Sequence, residues 1–392
     1  MLIKLKKSLT TLRRPSLIRQ LAYDYLGKEN SNAVDYKLHL RAACEWLFEA
    51  QDSNSDNGVS AGFYYFKGGW LSSYPETTGY IIPSIIKSSE VLKNNECLNR
   101  AEKMADWEVS IQLDDGAFPG AFSDDRRPRV FDVGQIILGL VAIYESSKKD
   151  KYIQSAIRAG DWLINNQDNN GSWVKNTHNH SARAYHSRVA WPLFKLFEIL
   201  NDQRYKVAAQ KNIDWVLSNK KSNFWIDKMG FIDGELPLTH TIIYTFRGLL
   251  ESSVYLEKEY QIIVYDLINN LIRNIKNSVS KNYTLYGIPL ISERFDENWV
   301  AANKNSCIPG NAQLCALIYR FEKIFKNNKY RDFSDTILNQ IMHRQILNTK
   351  DKTYYGAIPT AYPFWRGYGS YCYVNWTNKF FIDAINYKLT SE

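Results

Sequence analysis

The stretch RAGDWLINNQDNNGSW, from Arg158 to Trp173, joins an amphipathic segment to a turn that contains glycine. Two earlier stretches share its pattern, AEKMADWEVSIQLDDGAF over 101–118 and LRAACEWLFEAQDSNSDNG over 40–58. A weaker copy, KNIDWVLSNKKSNFW, covers 211–225. The aligned residues are Trp46, Trp107, Trp162 and Trp215, followed in the first three copies by Gln51, Gln112 and Gln167. The Trp spacings of 61, 55 and 53 residues indicate a repeated unit whose copies pack against each other, with the four Trp in equivalent buried positions.

A second apolar segment lies between consecutive copies, so the repeat is a pair of helices. Its apolar residues are spaced as on one face of a helix, for example Val133, Ile136, Ile137, Leu140 and Ile143. These second helices are predicted to begin near Thr77, Asp132, Arg188, Thr239, Gly310 and Asn375. Two degenerate turn copies, at 285–287 and 353–356, bring the hairpin count to six. We predict an all-α fold, an (α/α)6 toroid of six helical hairpins with inner helices surrounded by outer ones.

The repeat continues without a linker rich in Pro, Gly or Ser, which predicts one toroid domain over 35–392 that carries the catalytic or binding site. Residues 1–34 are predicted to form a basic N-terminal arm. Its cations alternate with Leu and Ile, so two interpretations stay open: peripheral contact with an anionic membrane surface, or a solvated arm. The five Cys are odd in number and widely spaced, and no apolar run approaches the length of a membrane span. These features predict a cytoplasmic protein, with membrane association through the arm as the open alternative.

Charge and aromatic content together indicate the partner. The net charge is +8, the pI is about 9.0 and aromatic residues make up 14% of the chain. The basic residues are scattered, and the sequence has no zinc-finger, RNP or helix-turn-helix motif, so nucleic acid is not the predicted partner. An acidic oligosaccharide or polysaccharide fits both the charge and the aromatic side chains.

The Gln-Trp unit resembles the repeat of terpenoid cyclases with a toroid fold. The phrases PETTGYIIP, LTHTIIYTFRGLLE, IPGNAQLCALIYRFEKI and YVNWTNKFFIDA are similar to toroid proteins of bacterial surface-polysaccharide loci. This resemblance covers about residues 35–390 and implies the six-hairpin fold and a role in polysaccharide biosynthesis. The sequence lacks the DxDD and DDxxD clusters of terpene cyclisation and the Cys/His zinc set of prenyltransferases. No metal and no cofactor are therefore predicted.

The predicted site lies where the inner helices begin, because those ends meet at one mouth of a ring. Abstraction of the C5 proton of a uronic acid needs a His or Tyr base, a second His or Tyr acid, and groups that neutralise the carboxylate. The catalytic candidates are His186, His240, Tyr185, Tyr244 and Glu76. They favour a uronate C5-epimerase or lyase. A six-hairpin glycoside hydrolase using Glu76 and a second carboxylate is the first alternative. A non-catalytic glycan-binding or scaffold protein of polysaccharide assembly is the second.

The predicted substrate-binding residues are polar and aromatic side chains in the turns and at the inner-helix starts. They are Tyr74, Tyr80, Trp70, Asp132, His178, His180, Arg188, Arg294, Trp299, Asn311, Gln313, Trp365, Arg366, Tyr371 and Asn375. Local roles compete with several of these assignments. Asp132 is equally suited to capping its helix, and His240 could simply bond a backbone carbonyl. His178 and His180 have no acidic residue nearby, so anion binding is favoured over a metal.

Overall fold

The computed structural model describes residues 15–26, 35–121, 127–279 and 291–390, and these are mostly helical. Helix α1 (Pro15–Leu26) precedes six helical hairpins. The outer helices are α2 (Tyr36–Asp52), α4 (Asn95–Ile111), α6 (Asp150–Asn165), α8 (Gln203–Ser218), α10 (Lys258–Val279) and α12 (Arg331–Met342). The inner helices are α3 (Pro75–Leu92), α5 (Val130–Ser147), α7 (Ser187–Leu200), α9 (Thr239–Ser253), α11 (Ile308–Phe325) and α13 (Asn375–Thr390).

The inner helices form a closed ring. Each contacts the next in chain order, and α13 returns to contact α3. Each inner helix also packs against an outer helix, with α2 lying against α13. Because neighbours cover them on all sides, inner helices are apolar around most of their circumference, and every residue of α9 is buried. The predicted (α/α)6 toroid is confirmed.

The repeated Gln residues join neighbouring hairpins. The Gln167 side-chain amide donates to the carbonyl of Gly171 in its own turn, at 3.0 Å, and to the carbonyl of Ala208 on the next outer helix, at 2.9 Å. Gln112 and Gln51 make the corresponding pairs of bonds, one to their own turn and one to the next outer helix. Gln345, which the repeat pattern did not identify, bonds Gly356 and, across the seam of the ring, His39. The Gln of the motif therefore links each turn to the following outer helix.

The repeated Trp residues are not all equivalent. Trp46, Trp107 and Trp162 are buried, as predicted, and the Trp46 indole N–H donates to the Thr353 carbonyl at 2.9 Å. The prediction is wrong for Trp215, which is half-buried and has the Lys228 ammonium over its ring. The fourth copy also lacks the Gln, so its turn is held differently from the first three.

Two small sheets join loops of neighbouring hairpins, one between the first and last hairpins and one between the fifth and last. Strand β1 (Gly62–Tyr64) pairs with β2 (Gly69–Trp70) and with β5 (Cys372–Val374), all antiparallel. Strands β3 (Ser306–Cys307) and β4 (Ala361–Tyr362) form a second antiparallel pair. These strands fix the loops that lie over the seam.

Part of the predicted N-terminal arm is folded onto the ring. Helix α1 buries Leu17, and the buried Asp24 carboxylate accepts a 2.7 Å bond from the Phe364 amide in the last hairpin. The arm therefore contains a docked helix, whereas the flanking residues 1–14 and 27–34, like the degenerate turn copy at 285–287, lie outside the described residues. One described helix, α5, is long and apolar enough to cross a membrane, but it is an inner helix and two thirds of it is buried.

Replacing Gly171 with Ala tests the link between turn and outer helix. Gly171 has φ +88°, and an added Cβ would overlap the Lys211 carbonyl of α8. We expect a loss of about 3 kcal/mol or more in the free energy of unfolding, measured by urea denaturation. Gly234 is the matched control, because it has φ +81° and no atom within 4 Å of the added Cβ. Gly234→Ala should cost about 1 kcal/mol from backbone strain alone. Equal losses in the two variants would contradict a steric role for Gly171.

Candidate active site

Two carboxyl groups meet where α3 and α5 begin. Glu76 lies in the first turn of α3 and Asp132 in the first turn of α5, and both are buried. The two side chains hydrogen-bond to each other. The Tyr74 hydroxyl donates to Glu76 Oε2, while the Ala121 amide donates to Asp132 Oδ2 at 3.1 Å. The sequence analysis assigned Asp132 only a capping or binding role, so its pairing with Glu76 is a new observation.

Burial and mutual repulsion set the protonation of this pair. Burial, followed by the charge of Asp132, raises the pKa of Glu76 to about 8. Burial also raises the pKa of Asp132, to about 6, against the opposing charge of Arg129. At neutral pH the pair therefore holds one proton between its two carboxyl groups.

A buried guanidinium lies beside the carboxyl pair and forms no ion pair with a carboxylate of the described residues. The Arg188 Nε donates to Gln135 Oε1 at 2.9 Å, and the guanidinium lies 4.9 Å from the centre of the Tyr244 ring. Its charge lowers the pKa of Glu76, against the larger effect of burial. The other buried cations of the described residues, Arg183, Arg247, Lys379 and Lys388, each form an ion pair with a carboxylate. Arg188 is therefore suited to bind an anionic group of a ligand.

The starts of α9 and α11 supply the opposite side of the site. The His240 Nδ1 lies 2.6 Å from Gln313 Nε2, and the His240 ring packs 4.5 Å from Tyr244. Tyr244 in turn hydrogen-bonds to Tyr80 of α3. Burial lowers the pKa of His240 to about 3, so this imidazole is neutral at physiological pH. The ring-mouth cluster is defined here as Tyr74, Glu76, Tyr80, Asp132, Arg188, His240, Tyr244 and Gln313.

His186 and Tyr185 lie next to this cluster, on the α7 side. Both are buried, and the Tyr185 ring packs 5.3 Å from Phe131 on α5. Burial, aided by the charge of Arg183, lowers the pKa of His186 to about 3. Burial also raises the pKa of Tyr185 and, more strongly, of Tyr244. Both imidazoles are buried, and neither titrates near neutral pH.

Several predicted binding residues lie in structural packing instead. Trp70 packs against Trp46 of the outer helix α2, with ring centres 5.3 Å apart. Trp299 is buried against Trp225, at 4.9 Å. The Asn375 amide donates to the Ser60 carbonyl and to Thr77 Oγ1, which ties α13 to the first hairpin. Loop aromatic residues were predicted as ligand contacts from composition, but composition does not tell which face of a loop they occupy.

The remaining predicted residues lie around the cluster or at the surface. His178, His180, Trp365 and Arg366 are exposed, and Tyr371 is half-buried against Phe66 and Phe364. The Arg294 guanidinium bonds the Leu236 carbonyl and approaches Glu293 and Glu235. Asn311 bonds Ser306 Oγ at 2.9 Å. Its Oδ1 and Gln313 Oε1 are buried without a hydrogen-bond partner among the described residues, so both could accept bonds from a ligand.

Three residues near the cluster were missed by the sequence reasoning. Tyr368 stacks at 5.8 Å from His240, Phe380 packs 5.8 Å from Tyr244, and Trp376 lies edge-on to Tyr74. The Trp376 indole N–H is buried without an acceptor among the described residues. The signal was present, because Trp376 follows Asn375 at the start of the last inner helix. Tyr368 belongs to the loop whose neighbours Trp365, Arg366 and Tyr371 were chosen.

One family of known proteins matches part of the chain. Residues 85–230 match Glycosyl Hydrolase Family 88, a range that includes Asp132 and Arg188 but not Glu76. No curated protein matches the chain.

Solved structures show the fold of the chain. An unsaturated glucuronyl hydrolase specific for heparin superposes with a TM-score of 0.70 at 12% identity, covering 90% of this chain and 96% of that one. A mutant unsaturated glucuronyl hydrolase from Streptococcus agalactiae, complexed with dGlcA-GalNAc6S, has a TM-score of 0.64 at 12% identity and coverages of 93% and 94%. Cellobiose 2-epimerase from Bacillus thermoamylovorans has a TM-score of 0.65 at 12% identity, with coverages of 89% and 98%. This chain therefore shares the fold of these three proteins.

Proposed function

We propose that this chain is a glycoside hydrolase that removes an unsaturated uronic acid from the end of an acidic oligosaccharide. The observation that carries the proposal is the buried Glu76–Asp132 pair, which holds one proton beside the Arg188 guanidinium. The partial match to a glycosyl hydrolase family and the likeness to unsaturated glucuronyl hydrolases support the same reaction class. This is the hydrolase alternative of the sequence analysis, now with Asp132 as the second carboxylate.

The histidines favour this alternative over C5 proton abstraction. An effective general base has a pKa near the working pH, but burial holds the pKa of both His186 and His240 at about 3. Tyr185 and Tyr244 have raised pKa values, so their hydroxyls stay protonated. The Glu76–Asp132 pair is the group in the cluster that titrates around neutral pH.

The contact between the two carboxyl groups also restricts the reaction. Retaining and inverting glycosidases hold their carboxyl groups about 5 to 10 Å apart, so that sugar or water fits between them. Glu76 and Asp132 are in hydrogen-bond contact and resemble a single acid–base unit. Such a unit suits addition of one proton to a double bond, which needs no second carboxylate across the ring.

An unsaturated uronate contains the enol ether C4=C5–O5. Glu76 gives its proton to C4, the C4=C5 π bond supplies the electron pair, and O5 stabilises the cation that forms at C5. Water adds to C5 and returns a proton to the carboxyl pair. The resulting hemiketal opens by breaking C5–O5, and the hemiacetal left at C1 releases the remaining sugar as an alcohol. One water is consumed, and the product is a 4-deoxy-5-keto uronate.

Arg188 is assigned to the substrate carboxylate. Its guanidinium adjoins the carboxyl pair, and the uronate carboxylate is attached to C5, next to the carbon that receives the proton. Gln313 Oε1, Asn311 Oδ1 and Trp376 Nε1, which lack partners among the described residues, are suited to bond sugar hydroxyls. A polysaccharide-biosynthetic role and a cytoplasmic location remain predictions from the sequence.

An ultraviolet assay distinguishes the candidate reactions, because the conjugated double bond absorbs and saturated uronates do not. With an unsaturated glucuronyl disaccharide, we expect the absorbance to fall as the double bond is consumed. A lyase acting on a saturated uronate polymer would instead raise it. An epimerase would leave it unchanged but would incorporate deuterium at C5 in D₂O. No change with any of these substrates would support the non-catalytic alternative.

The pH profile of kcat/KM should have two limbs. Below about pH 6 Asp132 becomes protonated, so the rate should fall because the base is lost. Above about pH 8 Glu76 loses its proton, so the rate should fall about tenfold per pH unit because the acid is lost. Steady-state assays between about pH 4.5 and pH 9.5 would cover both limbs and test this profile. A flat profile through pH 8 would contradict Glu76 as the acid.

A further inference from the structure

A glutamate occupies a core position of the repeat on outer helix α4. The residue after the repeated Trp is Leu47, Leu163 and Val216 in three copies, and each of these side chains is fully buried. In the second copy this residue is Glu108, which is also 0% exposed. An acidic side chain thus replaces an apolar one at a core position outside the ring-mouth cluster.

The Glu108 carboxyl group has no hydrogen-bond partner among the described residues. Both Oε1 and Oε2 are buried and unpartnered. Leaving a buried polar group without a hydrogen bond costs free energy, because the group loses its contacts with water and gains none in return. Buried carboxylates are normally paired with a cation or hydrogen-bonded, so this group calls for a missing partner.

The turn of the first hairpin lies directly over this part of α4. A Cβ added at Gly58 would lie 2.8 Å from the ring of Trp107, the neighbour of Glu108, and 2.7 Å from the Ser73 Cβ. Asp56 in the same turn is exposed, and its Oδ1 accepts bonds from the Gly58 amide at 3.0 Å and from Ser73 Oγ at 2.7 Å. Asp56 is the charged group that, after burial, raises the pKa of Glu108. The charge of Asp56 therefore acts on Glu108 across the turn.

The turn sequence has the character of a cation-binding loop. Asp52 to Gly58 reads DSNSDNG, so each residue from Asp52 to Asn57 has an oxygen-bearing side chain. The twelfth residue counted from Asp52 is Phe63, where calcium loops of the helix–loop–helix type have Glu. Asn57, the sixth residue, has φ +72°, a conformation that calcium loops usually reach with glycine. The first residue of the loop, Asp52, differs from the first ligand of a calcium loop because its carboxylate is paired with Arg100. No three His, Cys, Asp or Glu side chains converge in the described ranges, so two carboxylates are the acidic ligands available.

We propose that Glu108 and Asp56 bind a Ca²⁺ ion between the first turn and α4. Ca²⁺ accepts six to eight oxygen ligands with flexible geometry, so carbonyl, hydroxyl and water oxygens can complete its coordination. The ion would give the buried Glu108 its missing partner and relieve the repulsion between the two carboxylates. It would join the first and second hairpins, and the proposal is independent of the proposed hydrolase activity.

Terbium luminescence tests the site, because Tb³⁺ occupies Ca²⁺ sites and Trp107, adjacent to Glu108, can sensitise its emission. We expect Trp-excited Tb³⁺ emission that Ca²⁺ displaces, and a Tm that rises with the logarithm of the Ca²⁺ concentration once this exceeds the Kd. Glu108→Leu should abolish both effects, and Asp56→Asn should weaken them. Glu102→Gln, on the same helix with its carboxylate paired to Lys149, is the matched control and should retain both.

The Glu108→Leu variant is expected to fold, because Leu47 and Leu163 show that the repeat accepts Leu at this position. A lost Ca²⁺ response in this variant therefore reports on the site. Without Ca²⁺, Glu108→Leu should melt at a higher temperature than the unsubstituted protein. The proposal is overturned if Ca²⁺ leaves the Tm of the unsubstituted protein unchanged, if Glu108→Leu retains the Ca²⁺ response, or if Mg²⁺ gives the same shift as Ca²⁺.

Discussion

Replacing Glu76 with Gln should lower kcat by about 10²- to 10⁴-fold while making the protein more stable at pH 8. The amide has nearly the same shape and can still accept the Tyr74 hydroxyl and donate to Asp132. It cannot give a proton to a substrate. Steady-state kinetics on an unsaturated glucuronyl disaccharide would measure the loss in kcat. Thermal melts between about pH 5 and pH 9, the interval around the raised pKa of Glu76, would measure the gain in stability.

The sign of the stability change follows from proton linkage. In the unfolded chain Glu76 ionises near its ordinary pKa of 4.5, whereas in the folded chain it does so near 8. Between these values the folded state retains a proton that the unfolded state releases, so stability falls as the pH rises through this interval. The Gln variant lacks this contribution. Glu90→Gln, on the exposed face of the same helix, should leave activity and the pH dependence of Tm unchanged. Full activity in the Glu76→Gln variant would exclude Glu76 as the acid.

Replacing Arg188 with Met should raise KM for a uronate substrate by about 10- to 100-fold, because a charge-assisted bond to the carboxylate is lost. The melting temperature should increase, since the change removes a buried cation that has no ion pair among the described residues. Steady-state kinetics and thermal melts on the same preparation measure both.

Substrate chemistry provides the control for Arg188. A substrate whose carboxylate is converted to an amide should bind the unsubstituted enzyme poorly, and Arg188→Met should weaken its binding little further, because the two changes remove the same interaction. Arg204→Met, at an exposed position of α8, should leave KM unchanged. If the amide substrate and the Arg188→Met change each weakened binding independently, so that their effects added, Arg188 would not bind the substrate carboxylate.

The fold could be predicted from the sequence because the bonds that join one hairpin to the next connect residues near each other in the chain. Each repeated Gln bonds its own turn and the next outer helix, so one short motif carries the contact that defines neighbouring hairpins. Trp215 departs from the pattern where the Gln is absent. Gln345 was missed because no Trp precedes it, although it makes the same pair of bonds.

The site could be predicted in part. Glu76, Asp132, Arg188 and His240 were chosen because inner-helix starts converge, and the structure brings them together. The sequence cannot reveal their protonation, because pKa values depend on burial and on contacts between residues far apart in the chain. Histidines at the entries to two inner helices indicated acid–base chemistry, yet burial makes His186 and His240 poor bases. The epimerase or lyase reaction was therefore preferred because of residue type, whereas the environment of a side chain decides its pKa.

The bond between Gln345 and His39 has a consequence for how the chain folds. The other Gln joints connect residues 41 to 49 positions apart, whereas this one spans 306 positions. Successive hairpins can dock on one another as soon as each pair has formed, but the last must find the first across almost the whole polypeptide. Contacts so distant in sequence carry a large loop-closure entropy and tend to form late. A partly folded chain would then be an open arc, with the inner helices of its two end hairpins exposed to water, until the final joint closes.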